Sequence, residues 1–313
     1  MASVLFKMIV FPGFLFLFVF GLAAEFIDRR LYARLQNRQG PPWFQPLADF
    51  IKLLGKEEII TEGADIRTFR LMPLLAITAT ITSFFYIPLW GTRALYFFEG
   101  DLIVVLYLLT IPSLTYFLAG WYSRSIFSMI GAVRSLTQLF AYEVPFFMSI
   151  LASALLANTW SLSAITSFYS VHPGLWFCNL IGFAVALVAL LGKLEKVPFD
   201  IPEAETEMVA GSFTEYCGRL LAFFRLSLDI EMVVGASLLA AVFLPWGLGA
   251  SVSVAFVVYL LKVSFVIVFV SVARSLFARL RLDQMLIFCW KFLAPAALLQ
   301  VLLNLIIKGV FLR

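Results

Sequence analysis

Val197-Pro198-Phe199-Asp200-Ile201-Pro202-Glu203-Ala204-Glu205-Thr206-Glu207 lies between two long apolar runs, about 175–192 and 219–244, and its reading decides the architecture. Each flanking run approaches the roughly 20 residues an α-helix needs to cross a bilayer. A charged side chain at bilayer depth costs several kcal/mol, so a crowd of carboxylates beside two spans reads as a membrane-surface loop whose acids handle protons or cations. The segment continues through Gly211 to Glu215-Tyr216.

Outward from this loop the same pattern recurs along the whole chain. Apolar stretches fall at about 4–24, 71–90, 101–122, 126–157, 175–192, 219–244, 250–271 and 286–308. They predict an all-α polytopic membrane protein with about eight transmembrane helices, forming a single integral membrane domain over 1–313. Composition agrees: hydrophobic residues make up 62% and charged residues 13%, well below the roughly 25% charged of a soluble domain. The first apolar run, preceded by Lys7 and followed by Ala23-Ala24, is long enough to span and is expected to stay as an uncleaved anchor.

The loops are lopsided in charge. Arg29, Arg30, Arg34, Arg38, Lys52, Lys56, Arg67 and Arg70 lie in the first, Arg124 in the third, Lys193 and Lys196 in the fifth, and Arg274, Arg279 and Arg281 in the seventh, whereas the even loops hold only Arg93. The positive-inside rule makes the odd loops cytoplasmic and puts both termini on the other side of the cell membrane. Trp90, Trp121, Trp160, Trp176 and Trp246 fall near span ends, as interfacial anchors do. The formal charge of +4 follows from these loops and is no sign of nucleic-acid binding. Cys178, Cys217 and Cys289 are dispersed and share the chain with one histidine, His172, so no metal or iron–sulfur framework is expected within it.

Three regions carry chemistry. In the first cytoplasmic loop, about 25–70, Leu47, Phe50, Ile51 and Leu54 recur at helical spacing while Asp49, Lys52 and Lys56 fall elsewhere. That predicts an amphipathic helix, read either as an anchor on the lipid surface or, with Arg29, Arg30, Arg34 and Arg38 around it, as a docking platform for a soluble partner. In the fourth span Arg134, Gln138 and Tyr142 share a face, and Glu143 stands beside the helix-disturbing Pro145. An intramembrane glutamate is a functional candidate by default, the alternative being a charge that only holds the bundle together. In the acidic cytoplasmic loop, about 193–218, Asp200 and Glu203 suit a helix N-cap and capping box. That account leaves Glu205, Glu207 and Glu215 without a structural task. Arg225 and Asp229, four apart, read as an internal ion pair; Lys262, Arg274 and Lys291 are cations placed to bridge to the carboxylates. The expected ion path is Glu143, Asp200, Glu203, Glu205, Glu207, Glu215 and Lys262.

Four strings in order resemble one family: Gly40-Pro41 with Gln45-Pro46-Leu47-Ala48-Asp49 and Lys52-Leu53; Arg134 to Tyr142-Glu143-Val144-Pro145; Pro198 to Glu205 with Val209-Ala210-Gly211 and Glu215-Tyr216; and Arg281-Leu282-Asp283-Gln284 with Trp290-Lys291 and Pro295. They are similar to the membrane subunit that joins the two arms of respiratory complex I, found also in membrane-bound [NiFe]-hydrogenases and their sulfur-reducing relatives. The resemblance implies a connector without a redox cofactor of its own. It also implies hydrogenase-like and Fe–S subunits, with a NiFe or related site, docked at the cytoplasmic face, and antiporter-like membrane subunits alongside. Quinone-reducing members carry a longer insertion between Gly-Pro and the interfacial helix, whereas here only Pro42-Trp43-Phe44 intervenes, which resembles the hydrogenase side. A quinone-binding subunit of a complex I-like dehydrogenase is the alternative. A stand-alone secondary transporter would show inverted repeats and paired broken helices, and neither is visible by eye.

Overall fold

Pro12 and Gly13 break the first apolar run in two. A Cβ at Gly13 would lie 1.9 Å from the Met8 carbonyl oxygen, so the chain turns there on a residue without a side chain. The computed structural model describes residues 2–91, 93–203, 209–247 and 251–311, with side chains from residue 6 to residue 310. On either side of the break lie α1 (Ala2–Ile9) and α2 (Phe14–Leu35). The expected span of 4–24 is therefore corrected: α2 starts later and runs on past the membrane-length stretch, carrying Glu25, Asp28 and Arg29 on helix rather than loop.

The interfacial helix α3 (Gln45–Leu54) and α4 (Ile66–Phe84) follow, then α5 (Asp101–Tyr122) and α6 (Ile126–Ala157), which coincide with the expected third and fourth spans. A short α7 (Leu162–Val171) was not expected. It precedes a 3-10 turn, Pro173–Asn179, and α8 (Leu180–Lys193). After the acidic loop come α9 (Gly218–Phe243) and α10 (Val252–Leu276). The chain closes with α11 (Leu282–Phe288), a π-turn at Cys289–Leu293 and α12 (Ala294–Phe311). No strand occurs among the described residues.

Among the described residues, seven helical segments are long and apolar enough to cross a membrane. The expected second span at 71–90 is instead α4, 19 residues beginning earlier, with Arg67 and Arg70 in its first turns. Those two cations keep it below the apolarity of the other seven, although 19 residues at ~1.5 Å each still cover most of a bilayer core. α9 lies at the centre, with 89% of its most apolar stretch buried, against 28% for α10 and 22% for the last segment.

The odd loops gather at one end. The Leu280 amide donates to the Pro198 carbonyl at 3.0 Å, and the Ile59 amide to the Cys217 thiol at 3.2 Å. A 3-10 turn at Gly211–Phe213 wedges between α5 and α6. A Cβ at Gly131 would come within 2.5 Å of the Gly211 carbonyl carbon, so only glycine permits this approach. In α3 the predicted apolar stripe divides: Phe50 packs edge-on to Phe18 of α2, while Leu47, Ile51 and Leu54 remain exposed.

Candidate functional site

A cavity of about 510 Å³ opens where α2, the loop after α8, α9 and α10 meet. Its walls are charged: Glu25 and Arg29 from α2, Glu195, Lys196, Asp200 and Glu203 from the loop, Arg225 and Asp229 from α9, and Arg274 and Arg279 from and after α10. A second cavity of about 190 Å³ lies under α3 and shares Arg29, Arg225 and Asp229 with the first.

Behind the cavity wall, Asp28 is fully buried on α2. It accepts hydrogen bonds from Lys196 Nζ, from Arg274 Nη1 at 2.9 Å and from Ser271 Oγ at 2.7 Å. Glu25, one turn earlier, binds Arg29 at 2.6 Å and faces Lys196 at 3.6 Å. Arg29 reaches on to Asp49 of α3 at 2.9 Å, tying the interfacial helix to the cavity. Burial works against the Lys196 charge, but Asp28 and Glu25 outweigh it and raise its pKa above the ordinary lysine value.

Glu195 sits at the rim in a conformation glycine would favour. At the end of α8 the Lys196 amide donates to Leu191 O and the Glu195 amide to Gly192 O, both at 3.3 Å, the Schellman pattern. Glu195 holds the left-handed position with φ 49°. A non-glycine residue there carries about 1–2 kcal/mol of strain, retained where the side chain is needed. Its carboxylate accepts from Ser135 Oγ of α6 at 2.8 Å. Burial, then the neighbouring Glu203, push its pKa up to about 8, with the Ser135 hydrogen bond acting the other way. Because the folded pKa lies above the ordinary 4.5, this group's contribution to stability is complete below about 4.5 and is lost as pH rises through about 8. Thermal unfolding of the Glu195→Gln protein should fall off less between these values than that of the unaltered protein; identical pH profiles would exclude the assignment.

Inward from Glu195 lies a sealed cluster. Lys193, at 2% exposure, pairs at 3.1 Å with Glu231 of α9, at 0%, and also donates to the Leu109 carbonyl of α5. Tyr116 Oη donates to the other oxygen of Glu231 at 3.2 Å. Tyr142 Oη and Ser113 Oγ lie 2.9 Å apart, and Gln138 Nε2 donates to Gly192 O at 2.8 Å, so α6 lines the approach. Glu143, half-buried on the neighbouring face, lies in the field of the Lys193 ammonium and makes no hydrogen bond or ion pair among the described residues.

The structure gathers part of the expected set here and places other members elsewhere. Asp200 pairs with Arg279 and Glu203 with Arg225 at 3.2 Å, both at the cavity. Residues 202–203 form a turn, so no helix begins directly after Asp200, and the residues that follow Glu203 up to 208 lie outside the described ones. Arg225 thus binds Glu203 rather than Asp229, which makes no ion pair among the described residues and faces both cavities. Arg274 bridges to a carboxylate as expected, but to Asp28. Glu215 lies away from the cavity, accepting from Thr61 at 3.4 Å. Lys262 lines a separate cleft with Tyr259 and Ser237, and Lys291 is exposed on the π-turn. Glu205 and Glu207 lie outside the described residues. Arg134 is half-buried on α6. Arg30, Arg34, Arg38, Lys52 and Lys56 are exposed around α3.

Sequence reasoning missed Glu195, Glu231 and the pairing roles of Lys193, Lys196, Glu25 and Asp28. Glu231 carried a signal, an ionisable residue inside a span, overshadowed by Asp229 two positions earlier.

The chain shares its sequence and its architecture with known respiratory proteins. The family described as NADH dehydrogenase matches residues 6–305. NADH-quinone oxidoreductase subunit 8 of Thermus thermophilus is 34% identical over 93% of this chain and 85% of its own. An NADH-quinone oxidoreductase subunit of Geobacter sulfurreducens is 35% identical over 93% of each. A chain of the membrane-bound sulfane sulfur reductase, an archaeal respiratory membrane complex, superposes with TM-score 0.86 at 27% identity, over 97% of this chain and 100% of that one. A helical bundle of this topology, matched along nearly its full length, belongs to the NADH dehydrogenase family as a membrane subunit of the H type.

Proposed function

We propose that the chain is the ion-translocating connector of a hydrogenase-type respiratory complex in the cell membrane, with its odd loops and charged cavity on the cytoplasmic side and both termini on the other. One observation carries the reading: a cavity of about 510 Å³ is walled by acids and bases, and Glu195 on its wall lies within the electrostatic field of Glu231, which pairs with the buried Lys193. Unpaired charge inside a membrane bundle is too costly to persist without a task, and hydrated protons or cations are the cargo that such walls suit. Hydrogenase-like and Fe–S subunits, holding every redox centre of the complex, dock at α3 and its arginines. Antiporter-like membrane subunits receive the ions.

Quinone binding is the competing reading, favoured by the cavity under α3 and by the names of the sequence relatives. That cavity, at about 190 Å³, is below the roughly 300 Å³ of a drug-sized site, and the larger one is charged where such sites are mostly apolar. The short turn Pro41-Pro42-Trp43-Phe44 and the likeness to the sulfane sulfur reductase chain point the same way. Purification in mild detergent should therefore return the chain with nickel- and iron–sulfur-bearing partners, in a complex that neither reduces quinone analogues nor is inhibited by them. Competitive inhibition by a quinone-site compound that photo-crosslinks to this chain would move it to the quinone-reducing side. Recovery without any redox partner would sink both readings.

A further inference from the structure

We infer that Lys193 is a movable counter-cation that alternates between Glu231 and Glu143 and so drives a proton from the first carboxylate to the second. The inference rests on the ion-path reading above and assigns the switching element within it.

Lys193 stands at the last residue of α8, where it can face two helices. Its ammonium is 3.1 Å from Glu231 of α9 and 5.9 Å from the centre of the Tyr142 ring on α6, and Glu143 is the residue after Tyr142. The α8 backbone is held against α6 beside it: Gly192 has no side chain, and a Cβ there would meet the Tyr142 ring at 3.2 Å, while its carbonyl accepts from Gln138. The helix end is thus fixed while the four-carbon stem of the lysine remains the adjustable part. Glu143 lies in the field of this ammonium and has no closer partner among the described residues. Phe140 and Val144 are exposed on the α6 flank bearing Glu143, an apolar face that suits a neighbouring membrane subunit, and a proton leaving Glu143 passes to an acceptor on that neighbour. A purely structural role explains less. Buried ion pairs are weak stabilisers that hydrophobic residues replace at little cost, and such a role leaves Glu143 unaccounted for.

The cycle balances. With Lys193 on ionised Glu231, Glu143 holds a proton. A proton arriving from Glu195 neutralises Glu231; Lys193 then turns to Glu143, which passes its proton to a basic or hydrated acceptor on the adjoining antiporter-like subunit. The Glu231 proton next passes to Glu143 and Lys193 returns, so one proton has crossed and no electron moves within the chain.

The test uses the whole complex in sealed vesicles, comparing the gradient built per redox turnover and the infrared difference band assigned to the Glu143 carboxyl by its loss in Glu143→Gln. Lys193→Met combined with Glu231→Gln leaves no unmatched buried charge. Lys193→Arg preserves the charge pair and hence assembly, but its rigid fork favours staying on one carboxylate. Both should turn over, build at most about a tenth of the gradient, and lose the Glu143 band. An undiminished gradient in Lys193→Arg, or in the double variant, overturns the proposal. The ion path itself is tested separately: if Glu143→Gln builds a full gradient, that reading falls, whereas an uncoupled Glu143→Gln beside a fully coupled Lys193→Arg removes only the lysine's role.

Discussion

Vesicles carrying Glu143→Gln are expected to lose about 10²-fold in redox-driven proton uptake, the scale on which a positioned acid–base group contributes, while electron transfer continues. The amide keeps the volume of the side chain and cannot carry a proton. Glu143 makes no ion pair among the described residues, so the substitution orphans no cation and assembly should be unchanged. Native gel mobility of the complex establishes assembly, and a pH-sensitive dye inside the vesicles reports uptake. Glu205→Gln is expected to act in the same direction, although Glu205 lies outside the described residues. A full gradient in Glu143→Gln would overturn the ion-path reading and leave that residue as a filler of the α6 flank.

Asp28→Ala should have the largest effect on stability, about 3–5 kcal/mol, because deleting one partner of a buried ion pair leaves the other charge uncompensated. Here two cations, Lys196 and Arg274, and the Ser271 hydroxyl lose their common acceptor, a carboxylate with no exposed surface. The cluster joins α2, the start of the acidic loop and α10, so its loss should free the loop from both helices. Asp28→Asn keeps an acceptor for Ser271 and should cost less. Thermal unfolding in detergent, with subunit release followed by gel filtration, separates the two. An Asp28→Ala subunit that unfolds within about 1 kcal/mol of the unaltered one, on the scale of a surface substitution, would show the cluster to be solvated.

The sequence by itself determined the class, the number of membrane-length helices to within one, and the family. Apolar runs of bilayer length have few alternatives once every backbone group must find its partner within the helix. α5 and α6 could be placed to the residue for that reason. It also determined that acids and arginines would meet at one end, since the odd loops carry nearly all the cations. Only the tertiary structure decided which charges pair. Ion pairs across a bundle depend on helix rotation and depth, which hydropathy does not specify. Asp28 meets Arg274 across 246 positions, and Arg225, spaced ideally for Asp229, turns to Glu203 instead. Glu195 shows the limit most sharply: between two lysines it reads as a solvated loop residue, and only the close of α8 against α6 holds it in the left-handed region, beside Glu203, where burial makes its proton exchangeable near pH 8.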